Sequence, residues 1–149
     1  MTGDTTCHDP QHPPADVDAA ATFVLEHYRV FAVVGASPRT WRPSHGVMQT
    51  LIARGYEVIP VNPTCDEVLG RRCYPDLRSI PESAGVEVVD IFRRSELAGD
   101  HVDEAIAVGA RAVWMQLGVI DRAAAERARA AGLAVVMDRC PAIELSRMG

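Results

Sequence analysis

Several things are missing from this 149-residue chain, and each absence closes off a class of function. No apolar run approaches the ~20 residues that cross a bilayer as a helix, so no membrane partner is expected. There is no basic surplus: 15 lysines and arginines stand against 20 aspartates and glutamates, a formal net charge of −5. Nucleic-acid binding draws on a basic surface and is not expected either. Met1 to Pro14 has neither a basic start nor an apolar middle, so it does not read as a signal peptide and the chain reads as cytoplasmic. None of the four cysteines, Cys7, Cys65, Cys73 and Cys140, forms a C-x-x-C pair. Free thiols are the default in that setting. Cys7, His8 and His12 lie close together, but Pro10, Pro13 and Pro14 around them point to a mobile tail rather than a metal site.

Two further absences concern nucleotides. The apolar run Val30 to Val34 leads into a single glycine, Gly35, and not into G-x-G-x-x-G. The second strand ends Val61-Asn62-Pro63, with no carboxylate where an NAD site holds the ribose 2′-hydroxyl. That counts against NAD and leaves room for a nucleotide with an extra phosphate, NADP or coenzyme A, with Arg71 and Arg72 as candidate partners. No Ser/His/Asp set can be drawn. His45 is the one histidine near the turn, and it reads as a packing or capping residue.

What is present is an alternation. With 48% apolar residues the chain can build one core. We expect a tail over 1–15 and a single domain over 16–149. A helix pattern spans Asp16 to Tyr28, with Val17, Ala20, Ala21, Val24, Leu25 and Tyr28 on one face. A strand follows to Val34. Ser44 suits the N-cap of the next helix, which Gly55 ends. Glu57 to Val61 is a strand in which Pro60 predicts interrupted pairing. Arg71 to Tyr74 reads as a short edge strand and Pro75 to Ile80 as a short helix. Val86 to Phe92, Ala112 to Leu117 and Leu133 to Met137 are further strands. Helices cover Ser95 to Val108, Ala123 to Ala131 behind Asp121, and Pro141 to Met148. Such alternation predicts an α/β fold, a doubly wound, mostly parallel sheet with helices on both faces. Its ligand would sit beyond the carboxyl ends of the strands.

The loops at that edge carry the chemistry. After Gly35 come Ser37, Arg39, Arg42 and Ser44, hydroxyls and fixed charge before a helix start. Arginine there suits a phosphate because its planar fork pairs with two oxygens. Arg93 and Arg94 end the third strand. Alternation puts Trp114 and Gln116 on one face of the next strand and Met115 on the other. Asp138, Arg139 and Cys140 follow the last strand, and Cys140 is a candidate reactive thiol as well as a small apolar residue.

Six stretches carry a resemblance to a known family. They are Val33 to Pro38, Arg42 to Gly46, Val58 to Pro63, Asp90 to Arg94, Ala112 to Gly118 and Met137 to Cys140. In this order the chain resembles, from about Tyr28 to Arg147, the small stand-alone bacterial CoA-binding proteins, which are themselves similar to the CoA-binding domain of the succinyl-CoA synthetase α subunit. The resemblance implies a Rossmann-like fold that binds coenzyme A or an acyl-CoA. By motif, Gly35, Ala36, Ser37, Arg42 and Ser44 would hold the pyrophosphate, with Pro43 inside that motif. Asn62 and Pro63 would lie against the adenosine, and Phe92, Arg93 and Arg94 would line the pantetheine or phosphate side. For Trp114, Asp138, Arg139 and Cys140 it gives membership of a motif and no role. The synthetase's phosphohistidine domain has no counterpart in these residues, so its chemistry is not expected. The leading expectation is a CoA-binding module without catalysis of its own. The alternatives are an NADP-dependent reductase, a CoA-thiol redox protein using Cys140, and an interaction subunit that has lost the ligand.

Overall fold

A computed structural model describes residues 13–149. The expected tail, up to residue 12, and the Cys7, His8 and His12 cluster lie outside the described residues. The sheet is five-stranded and parallel, formed by β1 (Val30–Val34), β2 (Glu57–Val61), β5 (Val88–Ile91), β6 (Ala112–Met115) and β7 (Ala134–Met137). Their order is β2-β1-β5-β6-β7. The two-residue strands β3 (Glu67–Val68) and β4 (Arg71–Arg72) form a separate antiparallel hairpin. Helices α1 (Val17–His27), α2 (Pro43–Ala53) and α5 (Pro141–Met148) cover one face, and α3 (Ser95–Ala107) and α4 (Arg122–Ala130) the other.

Alternation along each strand builds both cores. Phe31, Val33, Val58, Val88, Trp114 and Val136 face the first group of helices, and Ala32, Val34, Ile59, Val89, Met115 and Val135 face the second. With both faces dry, the central strands need side chains that tolerate burial everywhere, hence Val-Phe-Ala-Val-Val in β1. Trp114 lies in the core, and its indole Nε1 donates to the carbonyl of Arg139 at 2.8 Å.

Three local expectations change. Pro60 interrupts nothing: β1 and β2 pair in continuous register from Val30↔Glu57 to Val34↔Val61. β2 is the edge of the sheet, and the Pro60 carbonyl faces outward, accepting from Tyr74 N at 3.0 Å. The missing N–H therefore falls on the side where no ladder bond is required. Pro75 to Ile80 holds only a 3-10 turn, Leu77–Ser79, capped by Asp76. Ser44 is not an N-cap. Arg42 holds that position, Pro43 opens the helix, and Ser44 is buried in the first turn.

Asp90 sits in the middle of β5, fully buried, with no hydrogen-bond partner on either carboxyl oxygen. Burial pushes its carboxyl well above the usual range. The folded chain then keeps this proton while the unfolded chain releases it above pH ~4. The native state binds more protons, so stability falls as pH rises through that point and levels off only above the folded pKa. Asp90→Asn should remove this slope. Urea melts at pH 4 and pH 8 are expected to show the variant gaining on the wild type between the two. A constant difference would mean that the carboxyl is ionised in the native state.

Candidate functional site

The sheet's strand order reverses between β1 and β5, since the chain runs from β1 outward to β2 and later from β5 outward to β7. The carboxyl edge at such a reversal opens into a crevice because the two following connections diverge. Gly35, just past β1, has φ +85°, and a Cβ there would stand 2.4 Å from the Phe92 carbonyl oxygen. Only glycine lets the two loops meet this closely. The Gly35 and Ala36 N–H groups both donate to the Val61 carbonyl, at 3.0 and 3.3 Å. Asn62 Nδ2 donates to the Ala36 carbonyl at 2.6 Å, and Asn62 Oδ1 accepts from the N–H and hydroxyl of Thr64, both at 2.8 Å. The loops after β1, β2 and β5 are thus tied together at their bases.

Between their tips lies a cleft of about 1120 Å³. Arg39, Arg42, Arg93 and Arg94 line it, and among the described residues no aspartate, glutamate or histidine does. Among the described residues none of these four arginines forms an ion pair. Local positive charge is therefore concentrated in a protein whose net charge is −5. The helix starts add to it. α1 and α4 carry aspartate N-caps, Asp16 and Asp121, each accepting from a first-turn N–H. α2, α3 and α5 begin at Arg42, Arg94 and Cys140, and none of these has a side-chain cap bond. All three cap residues line the cleft. Arginine is a poor N-cap, because it accepts no hydrogen bond and its charge opposes the positive end of the helix dipole. Helix starts without side-chain caps are the kind that suit an anion, and three of them border this one space.

Most of the predicted residues meet here. Gly35, Ser37, Arg42, Pro43, Ser44, Asn62, Pro63, Phe92, Arg93 and Arg94 all line the cleft. Ala36 does not: it is fully buried behind the wall and takes part through its carbonyl. Ser37 shapes the turn, its hydroxyl accepting from Arg39 N at 3.1 Å. Arg71 and Arg72 stand on the β3–β4 hairpin, where Arg71 donates to the Leu69 carbonyl and Arg72 lies over the Tyr74 ring. Neither reaches the cleft. Asp138 and Arg139 also turn away. Asp138 accepts from Gly118 N at 2.7 Å, and Arg139 pairs with Asp18 of α1 at 3.2 Å. Cys140 does line the cleft, as do Gln116, Leu97, Leu117, Val119 and Cys65. The rule of strand carboxyl ends reaches Gln116 and Leu117, but no local signal marks Cys65 or Leu97.

Among the described residues no group of His, Cys, Asp and Glu is placed to hold a metal ion, and no helix is long and apolar enough to cross a membrane.

A family model described as a CoA binding domain matches residues 29–146. The uncharacterized protein YneT of Bacillus subtilis is 37% identical over 117 residues, covering 78% of this chain and 85% of that protein. Acetate–CoA ligase [ADP-forming] I of Archaeoglobus fulgidus is 35% identical over 65 residues, which is 44% of this chain but only 10% of the ligase. Among solved structures, a hypothetical protein from Pyrococcus horikoshii OT3 superposes with a TM-score of 0.84 at 41% identity, covering 93% of this chain and 97% of that one.

Proposed function

This chain belongs to the CoA binding domain family, and on that premise we propose that its cleft holds coenzyme A or an acyl-CoA and catalyses no reaction of its own. One observation carries the reading: three helix starts without side-chain caps, two of them at arginines, converge on one cleft whose described lining holds no acidic residue. A pyrophosphate needs such a place. Its charge is met by guanidinium forks and by first-turn N–H groups at once. CoA also needs room for a long neutral arm, and Phe92, Leu97, Leu117 and Val119 supply an apolar wall beside the arginines. The absence of a carboxylate or imidazole from the described wall removes the usual general acids and bases, which favours a carrier or sensor over an enzyme.

Titration calorimetry with CoA, dephospho-CoA and NADP tests this. CoA is expected to bind, with affinity falling as salt is raised because the contact is largely ionic. NADP is expected to give no heat, since its second nucleoside has no use for the apolar wall. Heat from NADP alone would support a reductase instead, and silence from all three would overturn the proposal.

A further inference from the structure

We propose that Cys140 is a thiol–disulfide exchange site for the sulfur end of the bound ligand, so that the protein captures CoA disulfides as a protein–S–S–CoA adduct. This rests on the CoA reading of the cleft and goes beyond it by assigning a covalent step.

Cys140 is held in place on both sides. Before it, Asp138 N donates to the Met115 carbonyl at 2.9 Å, Trp114 Nε1 holds the Arg139 carbonyl, and Arg139 is paired with Asp18. After it, Pro141 opens α5. The thiol stands at the helix start, in the cleft wall, with no side-chain cap bond. An independent observation points to a ligand here. Gln116 lies in the same wall and is only 7% exposed, yet its Oε1 has no hydrogen-bond partner. The Ser44 hydroxyl, in a residue 2% exposed, is also without one. A buried polar group left unpaired costs ~1–3 kcal/mol, and both residues line the cleft. An amide N–H of the pantetheine arm is the natural donor to Gln116.

Reach and polarity agree. The phosphate turn follows β1, and β7, which leads to Cys140, lies three strands along the sheet. At ~4.8 Å between strands this is ~14 Å. The arm between phosphorus and sulfur has about as many bonds as four residues of extended chain, ~14 Å. Leu97, Leu117 and Val119 line this end of the cleft, while Asn62 and Thr64 line the end at β2. The neutral arm therefore runs toward Cys140 and not toward Cys65, which lies at the β2 end. Cys73 is buried behind the loop, its thiol pushed up by burial and by the neighbouring Cys65.

The exchange balances without a further oxidant. The Cys140 thiol loses its proton to solvent, and its sulfur attacks the near sulfur of a CoA disulfide. A Cys140–S–S–CoA bond forms, the original S–S bond breaks, and the second CoA leaves as a thiolate. A free thiol reverses the step.

The test treats full-length protein with CoA disulfide and follows intact mass and peptide mapping, beside calorimetry with reduced CoA. The expected result is one adduct, with the mass of CoA less two hydrogens, mapped to Cys140 and removed by dithiothreitol. Cys73→Ser should retain it. Cys140→Ala, which adds no side-chain cap to α5, should lose it while CoA still raises the variant's melting midpoint, which shows that the variant folds and binds. Reduced CoA that binds while Cys140 stays unmodified, or an adduct on another cysteine, would overturn the exchange proposal alone. Absence of both binding and adduct would overturn the CoA reading with it.

Discussion

Gly35→Ala is expected to cost about 3 kcal/mol of folding stability and to abolish CoA binding. Two costs add. A left-handed backbone angle is worth ~1–2 kcal/mol against an L side chain, and Gly35 has φ +85°. The new methyl would also stand 2.4 Å from the Phe92 carbonyl oxygen, an atom of the backbone that no rotamer change can move aside. Overpacking of this kind costs ~1–3 kcal/mol. Relief requires the loops after β1 and β5 to separate, and those loops carry Ser37 and Arg39 on one side and Arg93 and Arg94 on the other. Stability and binding therefore fail together. Urea denaturation and calorimetry check both. Gly46→Ala is the control: it lies inside α2 with nothing within 4 Å of an added Cβ, so it should stabilise by up to ~1 kcal/mol. If Gly35→Ala melts like the wild type, the close approach of the two loops is wrong.

Replacing Arg42 and Arg94 together by aspartate should do the opposite to stability and the same to binding. Both residues occupy N-cap positions without a cap bond. Aspartate there accepts from a first-turn N–H and complements the dipole, worth ~1 kcal/mol per helix. For a chain of this length each such gain moves the melting midpoint up by roughly 2–4 °C. The same change removes two charged contacts to phosphate, at ~1.5–3 kcal/mol each, and adds two repulsive charges. CoA affinity should fall by about a thousandfold or more. A protein that becomes more stable as it loses its ligand has its caps committed to binding rather than to folding. A lower midpoint with unchanged affinity would show that these arginines hold the fold. Arg72→Ala, on the hairpin outside the cleft, should change neither quantity.

Much of this was legible in the order of residues. The run Val30 to Val34 is apolar on every side, which only a buried parallel strand satisfies, and Gly35 after it marks the turn. The alternation of such runs with helical patterns led to the α/β sheet that is observed. Asp121 is legible as a cap because an aspartate before a helix accepts locally. Ser44 misled for the same reason: a serine near a helix start looks like a cap, but Pro43 at the first helical position moves the start back to Arg42. Pro60 misled because its consequence depends on whether the strand is an edge, and β2 is one.

The sequence by itself determined the elements, since hydrophobic period, glycine and proline act over a few neighbours. It also determined that arginines would crowd the carboxyl ends of strands. Tertiary structure decided which of them share a site. Arg71, Arg72, Arg93 and Arg94 look alike as dipeptides, yet the first pair sits on a hairpin and the second opens into the cleft, because strand order places β5 beside β1. It also decided that Arg42, Arg94 and Cys140, far apart in the chain, begin three helices aimed at one space. Helix direction follows from local pattern. Which helix starts are neighbours follows from the packing of two cores against one twisted sheet, a non-local outcome that no short stretch of residues contains.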